Sequence, residues 1–337
     1  MSVRVGVIGA GIMGADHARI IAQDLPAAEL RVVCDATEER ARAVGEANGA
    51  YDIMIDPMAM LARGDVDAVL IASPDETHAD LTIAAIKAGK SVLCEKPLAP
   101  SSEECLRVIE AEVGLGAQLI QTGFMRRFDA AYIEMKAALD VGKLGRAVMM
   151  HNFHRNVEAP EWFTGQMAIS NSAPHEFDIA RYVLGSDFRS ISAFQGETDG
   201  PVAPVVMVIE GAQGQLVTIE VNNNAAYGYD VRGELVGEKG SIDLGSPVYA
   251  KYNLGLQSWE RFEEDWRPRF AGAYRAQNKA WLESIQKETP DPNAADAWDG
   301  YYATLTAEAG VESLTSGVRA KIDPIEMPQV YADRRRR

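Results

Sequence analysis

The sequence predicts an α/β chain that begins with a doubly wound parallel sheet and continues into an α+β domain with a large open antiparallel sheet. Up to about residue 122, short apolar strands alternate with helices, which is typical of a parallel sheet covered on both faces. Beyond that point, stretches of period-two alternation are separated by turn residues, which is typical of antiparallel strands. The 337 residues are too many for one typical domain and comfortable for two.

Residues 1–122 form the predicted first domain. Its segment SSEECLRVIEAEVGLG opens with a serine, which predicts a capped helix start. Helical segments separate five apolar runs, so we expect the runs to pair as parallel strands. In chain order the five predicted strands are VRVGVI, LRVVCDA, VDAVLIASP, SVLCEK and AQLIQTGF.

Residues 123–337 form the predicted second domain, with about five or six antiparallel strands. Two helical segments follow the strands, and we expect the later one, at about 295–317, to pack back on the first domain. The period-two stretches are AVMMHNFHRN, RSISAFQGE, PVVMVIEG, QLVTIEVNNN and VRGELVGEKGSIDLG.

Composition excludes several classes of protein. The formal charge of −16 argues against nucleic-acid binding, which needs a basic face. No window of about 18 apolar residues predicts a membrane span, and the opening MSVRVGVIGAG lacks the pattern of a signal peptide. Three sparse cysteines fit no zinc spacing and favour a cytoplasmic protein. The terminal RRRR (334–337) is expected to be a solvated tail.

A glycine-rich turn predicts a dinucleotide site. Gly9, Gly11 and Gly14 follow G-x-G-x-x-G spacing, directly after a strand and directly before a helix. The first glycine allows the tight turn, the second lets the backbone approach a pyrophosphate, and the third lets helix and strand pack closely. The helix N-terminus then offers amide donors to the phosphates. The predicted cofactor-binding loop comprises Gly9, Ala10, Gly11, Ile12, Met13 and Gly14.

Asp35 lies at the end of the second strand, about twenty residues beyond Gly14. A carboxylate there accepts hydrogen bonds from a ribose diol and repels a 2′-phosphate. Because Ala36 and Thr37 follow it and no arginine stands next to it, NAD is favoured over NADP as the cofactor. The alternative is that Asp35 only caps the following helix.

Polar residues follow the third and fourth strands at the edge of the sheet where ligands bind in this architecture. Lys96 could stabilise a developing alkoxide, and could share in proton transfer, but a surface ion pair is the alternative. His78 has a structural cap as its alternative. The residues of this edge predicted to contact the cofactor are Ser73, Pro74, His78, Glu95 and Lys96.

A second polar group lies in the predicted second domain. His154 and Asn156 end a strand, where grouped polar side chains suit a ligand with many hydroxyls, unless the loop is simply solvated. His175 lies in a helix-like run, and Asn171 stands four residues earlier, where a catalytic histidine would favour a carboxylate. Asn171 can still hydrogen-bond a substrate hydroxyl, but it cannot stabilise an imidazolium by charge.

Six segments together resemble one family of enzymes: GVIGAGIMG, ASPDETH, CEKPLA, GFMRRFDAAY, HRN and PHEFDIARYVLG. They are similar to the glucose–fructose oxidoreductase, inositol dehydrogenase and MocA family, over most of the chain. Two later segments, DWRPRFAGAY and AWDGYYATLTAEAG, resemble its inositol 2-dehydrogenases in particular. The resemblance implies a two-domain, NAD-dependent dehydrogenase that oxidises a secondary hydroxyl of a cyclitol or sugar-like polyol. It also implies a homotetramer formed through the open face of the large sheet.

The resemblance also assigns roles to residues. It implies that Lys96 lies at the reacting hydroxyl and that His175 is the general acid and base. The position four before that histidine is commonly aspartate in inositol dehydrogenases, whereas this chain has Asn171. Asp178 could instead belong to the scaffold and pair with Arg181 or Arg126. Positions that match the polyol pocket of the family are Met125, Arg126, His154, Asn156, Asp178 and Tyr229.

Two other functions remain open at this point. A reductase of a keto-sugar or ketocyclitol would use the same residues in the opposite direction. A non-catalytic regulator that responds to NAD or sugar is the alternative from another class, and loss of a carboxylate beside the histidine would fit it. The presence of both Lys96 and His175 favours an enzyme.

Overall fold

The computed structural model describes residues 2–245 and 250–335, which form two compact units. The first contains the described parts of 1–128, 273–305 and 324–337, and the second those of 129–272 and 306–323. The sequence analysis placed everything after residue 122 in one domain, so this division differs from it in the last third of the chain. The segment 273–305 is hydrogen-bonded to the rest of the first unit, since the backbone N–H of Thr122 donates to the carbonyl of Ala295 at 2.9 Å.

The first unit contains a parallel sheet that has six strands within the described residues. The strands are β1 Val3–Ile8, β2 Ala28–Cys34, β3 Asp52–Met54, β4 Ala68–Ile71, β5 Ser91–Glu95 and β6 Ile120–Gly123. Their spatial order is β3-β2-β1-β4-β5-β6, so the direction of winding reverses between β1 and β4. The core lies on the central strands, where Val5, Val7, Leu70 and Leu93 are fully buried. The predicted doubly wound parallel sheet is confirmed, and its switch point marks the crevice where ligands bind.

Helices alternate with the strands of this sheet as predicted. They are α1 Ile12–Arg19, α2 Glu38–Ala47, α3 Pro57–Leu61, α4 His78–Lys87 and α5 Ser102–Leu115. The predicted serine cap of α5 is present, because the side chain of Ser101 accepts from the backbone N–H of Glu104 at 3.2 Å. A π-helical turn, Ile20–Asp24, follows α1, and short 3-10 turns cover Asp75–Thr77 and Met125–Phe128.

The sequence analysis missed the edge strand β3. This strand has three residues, all half-buried, and within the described residues it pairs only with β2. It is too short to show an alternating or apolar run, which is the signal that identifies strands in a sequence. Its pairing is therefore decided by the neighbouring strand.

The second unit contains a large sheet that has seven strands within the described residues. They are β7 Ala147–Arg155, β8 Phe188–Gln195, β9 Val205–Gly211, β10 Leu216–Asn222, β11 Asp230–Gly237, β12 Gly240–Asp243 and, after a separate hairpin of β13 Tyr252–Leu254 with β14 Gln257–Trp259, β15 Ala320–Lys321. The order is β12-β11-β7-β10-β9-β8-β15. The sheet is mainly antiparallel as predicted, except that β7 and β10 run parallel.

The remaining helices follow β6 along the chain, and their residues within 273–305 and 324–337 belong to the first unit. These helices are α6 Ala130–Asp140, α7 Gly165–Met167, α8 Pro174–Leu184, α9 Trp266–Lys287, α10 Ala297–Ser316 and α11 Gln329–Arg335, with a π-helical turn at Ala168–Ser172. Helix α8 packs on β7, whose alternate residues Met150, Asn152 and His154 are buried. Among the described residues, no helix combines the length and apolarity that crossing a membrane requires.

Candidate functional site

The glycine loop lies between β1 and α1. Gly9 has a φ of +97°, a region that favours glycine. A Cβ at Gly9 would lie 2.3 Å from the carbonyl oxygen of Ala72, and a Cβ at Gly14 would lie 1.9 Å from that of Gly9. By contrast, a Cβ at Gly11 would have no atom of a described residue within 4 Å, and Gly11 is exposed. Two glycines therefore allow close packing, and the third leaves space that fits a pyrophosphate.

The first turn of α1 faces this space. Gly11 is the N-cap of α1, and the helix begins at Ile12. The first amides of a helix lack intrahelical partners and attract anions. Ile12 is 62% exposed in the first turn of this helix. Met13 is half-buried beside it.

Asp35 connects the glycine loop to the second strand. One carboxylate oxygen accepts from the backbone N–H of Ala10 at 2.8 Å. The other accepts from the N–H of Thr37 at 2.8 Å and from the guanidinium of Arg40 at 2.9 Å. Burial by itself would raise the pKa of Asp35, but these donors hold it below its usual value. The carboxylate is therefore ionised. Its ion pair with Arg40, five residues later in the chain, was not considered in the sequence analysis.

His78 joins the ends of two strands. Its Nδ1 lies 2.6 Å from the carbonyl oxygen of Pro97, and its Nε2 lies 2.9 Å from that of Ser73. Two carbonyl acceptors require a proton on each ring nitrogen. Burial alone would lower the pKa of His78, but the neighbouring Cys94 and the Pro97 carbonyl raise it to about 10. With both nitrogens engaged, His78 fits the structural alternative of the sequence analysis rather than a direct contact to a cofactor.

Glu95 is held by a buried relay. Its Oε1 lies 2.8 Å from Nε2 of His17, and Nδ1 of that ring lies 2.9 Å from the side-chain nitrogen of Asn278. Because the amide donates to Nδ1, the proton of His17 is on Nε2 and points at the carboxylate. The second oxygen of Glu95 accepts from the backbone N–H of Lys96 at 3.1 Å. The relay therefore fixes the segment that carries Lys96.

Gly123 explains why Glu95 can lie in this position. A Cβ at Gly123 would come within 3.0 Å of the Glu95 side chain.

Beyond β6, the chain forms the buried turn Met125–Phe128, with Met125 and Arg126 each 1% exposed. The next residue, Arg127, lies 3.1 Å from a carboxylate oxygen of Asp299. Arg127 therefore forms an ion pair within the first unit.

The second unit contains its own histidine–glutamate pair. Nδ1 of His154, on β7, lies 3.0 Å from Oε2 of Glu176, on α8. Glu176 is fully buried and His154 is 5% exposed. Nε2 of His154 makes no hydrogen bond to any described residue. The edge of the His154 ring also packs against Tyr229, with centroids 6.0 Å apart.

His175 lies in the first turn of α8 and is 8% exposed. Pro174 begins the helix, and the residues before it form a π-helical turn rather than an α-helix. Asn171 is in that π-helical turn, is exposed, and accepts from the hydroxyl of Ser170 at 2.7 Å. The residue after His175 is a carboxylate, Glu176, but it pairs with His154 on β7.

The other predicted polyol residues also belong to the second unit. Asn156 is half-buried just after β7, and its backbone N–H donates to the carbonyl of Asn222 at 2.9 Å. Tyr229 lines a cavity of 370 Å³ together with Phe153 and Arg232. Asp178 is 1% exposed on α8. Arg181, one of its proposed scaffold partners, donates to Asp187 at 2.7 Å.

Sequence reasoning missed His17, Asn278 and Glu176. His17 lies one helical turn after the glycine loop, and Asn278 is 261 residues farther along the chain, so no local pattern links them. Glu176 adjoins His175, which was a usable signal. Its burial beneath a sheet histidine depends on how α8 packs on β7.

The fold and these residues define an NAD-binding oxidoreductase. A model of the oxidoreductase family with an NAD-binding Rossmann fold matches residues 3–124, and a model of the GFO/IDH/MocA C-terminal domain matches residues 132–243. The chain belongs to this family. The resemblance inferred from the six sequence segments is therefore confirmed.

Relatives match the chain over nearly its whole length. Inositol 2-dehydrogenase 2 of Saccharopolyspora erythraea is 43% identical over 338 residues, which cover 98% of this chain and 99% of that protein. The inositol 2-dehydrogenase/D-chiro-inositol 3-dehydrogenase of Shouchella clausii is 35% identical, with 98% and 97% covered. A crystal structure of myo-inositol dehydrogenase from Lactobacillus casei, in complex with NAD(H) and myo-inositol, has a TM-score of 0.93 at 28% identity and covers 98% of this chain and 100% of that one.

Proposed function

We propose that this protein is an NAD-dependent dehydrogenase that oxidises a secondary hydroxyl of a cyclitol or sugar-like polyol, with inositol as the nearest candidate. The observation that carries the proposal is the similarity to inositol 2-dehydrogenases over nearly the whole chain, with 43% identity in one case. The buried pair of His154 and Glu176 supports it independently, since an imidazole oriented by a buried carboxylate suits recognition of a hydroxyl.

The cofactor is proposed to bind along the glycine loop. Bound NAD supplies a hydride acceptor, and the residues around it determine where that acceptor lies. Asp35 would accept from the ribose and repel a 2′-phosphate, although Arg40 beside it would weaken that repulsion. Because the carboxylate of Asp35 is the group that would face the ribose, we propose NAD over NADP as the cofactor. Comparison of kcat/KM for the two cofactors checks this preference. The proposed cofactor contacts are Gly9, Ala10, Gly11, Ile12, Met13, Gly14, Asp35, Ser73, Pro74, Glu95 and Lys96, with His78 supporting Ser73 and Pro97.

Two residues are proposed to carry the chemistry. His175 would take the proton of the reacting hydroxyl, since an imidazole works as a base near neutral pH. Lys96 would donate a hydrogen bond to the same oxygen and stabilise the alkoxide as the proton leaves. Its backbone is held by Glu95, which the buried His17 orients, so the lysine starts from a fixed position.

The remaining polar residues are proposed to hold the polyol. His154 can offer Nε2 to a hydroxyl while Glu176 fixes the ring through Nδ1. Each buried hydroxyl of a substrate needs such a partner, and a missing partner costs about 1–3 kcal/mol. The other proposed polyol contacts are Met125, Arg126, Asn156, Asn171, Asp178 and Tyr229.

We also propose a homotetramer formed through the open face of the large sheet, in the cytoplasm. Apolar side chains on this face support the interface, since Phe194, Val206 and Leu216 are each at least 40% exposed. The three buried cysteine thiols are compatible with a reducing compartment. Light scattering of the purified protein distinguishes the tetramer from smaller species.

The function is tested by turnover. The purified protein is mixed with NAD and a panel of cyclitols and sugars, and the absorbance of the reduced cofactor is followed. We expect reduced cofactor with at least one cyclitol. Binding of NAD without turnover on any polyol would contradict the dehydrogenase, and activity confined to a keto-sugar or ketocyclitol with reduced cofactor would favour the reductase.

A further inference from the structure

Two buried carboxylates lie at the start of α10. Asp296 is the residue before the helix, and its Oδ1 accepts from the backbone N–H of Asp299 at 3.0 Å. Asp299 accepts in return from the N–H of Asp296 at 3.2 Å, which forms a capping box. The two are 2% and 5% exposed. Burial, and then the nearby Asp299, raise the pKa of Asp296, so this arrangement needs positive charge nearby.

The C-terminal helix supplies that charge. Arg335 on α11 lies 2.6 Å from Asp299 and 3.5 Å from Asp296. Arg334 lies 3.6 Å from Asp296 and donates to the carbonyls of Asp291 and Ala294 at 2.7 and 2.6 Å. The sequence analysis expected a solvated tail at 334–337; both arginines are instead ion-paired, with Arg334 half-buried and Arg335 exposed. The last two residues of that run lie outside the described residues.

An aromatic anchor holds α11 against the same unit. Tyr331 is fully buried, and its hydroxyl donates to Glu112 of α5 at 2.5 Å. The other oxygen of Glu112 accepts from the backbone N–H groups of Leu119 and Ile120 at 2.7 and 2.8 Å. Since Ile120 begins β6, the anchor fixes α11 to the strand that leads into the Met125–Phe128 turn.

The arginine–aspartate cluster, Arg127, Asp296, Asp299, Arg334 and Arg335, reaches that turn directly. Asp299 lies between two guanidinium groups, with Arg335 at 2.6 Å and Arg127 at 3.1 Å. Arg127 is 7% exposed in its side chain and immediately follows Met125 and Arg126 in the turn. The position of Arg127 therefore depends on the carboxylate of Asp299, whose other oxygen is bound by Arg335 of α11.

The same helix start also supports the Lys96 segment. A Cβ at Gly300 would lie 2.7 Å from Cβ of Leu98, two residues after Lys96, and 3.0 Å from the hydroxyl oxygen of Thr122. Thr122 in turn donates through its hydroxyl to the carbonyl of Asp296 at 3.0 Å. The first turn of α10 thus packs closely against two segments that carry proposed site residues.

We propose that Arg335 is a positioning residue for polyol binding. Through Asp299 it fixes Arg127, and with it the Met125–Phe128 turn that carries two proposed polyol contacts. The expected change in KM rests on the proposed function. The expected change in the mobility of the Met125–Phe128 turn rests on the arginine–aspartate cluster alone. It gives the C-terminal residues a part in substrate affinity, although no proposed substrate contact lies on α11.

The first test is kinetic. Arg335→Met is expected to raise the KM for myo-inositol about tenfold, the scale of one charge-assisted hydrogen bond, with kcat changed less than about threefold. Arg335→Lys keeps the charge and should recover most of the affinity. Arg275→Met is the matched control, because Arg275 pairs with Asp24 on the surface of the same unit, at 3.0 Å and 49% exposed, and should leave KM unchanged. Equal effects of Arg335→Met and Arg275→Met would overturn the proposal.

A double-mutant cycle tests whether the effect passes through Arg127. Contacts in one network couple, whereas independent sites add. Arg335→Met combined with Arg127→Met should bind myo-inositol no more weakly than Arg127→Met alone, and multiplication of the two effects would refute the route. Where Arg127→Met does not fold, Asp299→Asn takes its place in the cycle.

Hydrogen exchange separates this inference from the function on which its kinetics rest. In Arg335→Met, amides of 122–128 should exchange faster, with those of α2 unchanged as the internal reference. Unchanged exchange at 122–128 would contradict the positioning role whether or not a polyol is oxidised. Failure of the wild-type protein to oxidise any polyol, with faster exchange in the variant, would instead contradict the proposed function alone.

Discussion

Each unit contains a buried histidine–glutamate pair. In one pair the glutamate is the more exposed member, and in the other the histidine is. In the first unit, the side chain of His17 is fully buried and that of Glu95 is 9% exposed. In the second unit, Glu176 is 1% exposed and His154 is 7% exposed. The first pair thus presents its carboxylate, and the second presents its imidazole.

The hydrogen bonds agree with this difference. Both nitrogens of His17 are engaged, by Glu95 and Asn278, so the ring can only support the segment that carries Lys96. His154 uses Nδ1 for Glu176, and its Nε2 has no hydrogen-bond partner among the described residues. Two similar pairs can therefore serve different purposes, with one acting as scaffold and the other as a recognition group.

The largest expected effect tests the residue beside the second pair. His175→Gln removes the proposed base and should lower kcat by about 10²–10⁴-fold, the range of general acid–base catalysis. Steady-state turnover on myo-inositol measures it, with the Kd for NAD as the control that should not change. A variant that keeps more than about a tenth of the wild-type kcat would remove His175 from the chemistry.

The next effect separates recognition from scaffold. His154→Asn should lower kcat/KM for the polyol about 10–100-fold, because a hydroxyl loses its oriented partner. His151 is the matched control, since it lies on the same strand but bonds Thr218 at 2.7 Å instead of Glu176. His151→Asn should leave kcat/KM within about twofold. Similar losses in both variants would mean that the strand, not the pair, is responsible.

Asn171→Asp adds a carboxylate four residues before His175. Because Asn171 is exposed, the gain should be that of a solvated ion pair, so we expect kcat on myo-inositol to rise only about two- to fivefold. If the new charge stabilises the imidazolium, the pKa of His175 rises, so the acidic limb of the pH profile of kcat should move to higher pH in the variant. An unchanged or lower rate would show that the pocket is suited to a different polyol.

His17→Gln tests the first pair. Glu95 would lose its oriented donor, so the free energy of unfolding should fall by about 1–3 kcal/mol. Denaturant unfolding measures this change. The KM for the polyol should stay within about twofold, because the pair acts on the scaffold. A large rise in KM with unchanged stability would reverse the roles assigned to the two pairs.

The last prediction concerns the buried carboxylate beneath α11. Burial raises the pKa of Glu112 to about 7, from an ordinary value near 4.5. Between these two values the folded state holds a proton that the unfolded state has lost, so stability should fall as pH rises from about 4.5 to 7 and then level off. Glu112→Gln should flatten this decline in thermal unfolding at each pH. A wild-type curve without the decline would contradict it.

Local patterns predicted some parts of the molecule and could not predict others. Gly9, Gly11, Gly14 and Asp35 were found because a turn and the strand after it lie within one short stretch of chain. His17 and Asn278 meet across 261 residues, and only the packing of α9 on the first unit brings them together. No spacing rule identifies such a contact.

The predictions were weakest where packing replaced a local signal. β3 has three residues and forms because β2 offers it a partner. Arg334 and Arg335 looked solvated because their aspartate partners lie about forty residues earlier. Glu176 was overlooked beside His175 because its partner, His154, is on a strand 22 residues away.

One measurement tests the central claim directly. The protein is given NAD and myo-inositol that carries deuterium at its carbinol carbons, and the reduced cofactor is analysed by mass spectrometry. The account predicts one deuterium in each reduced cofactor, formed by the wild-type protein and far more slowly by His175→Gln and His154→Asn. Reduced cofactor without deuterium, or no reduced cofactor although NAD binds, would contradict hydride transfer from a polyol carbon.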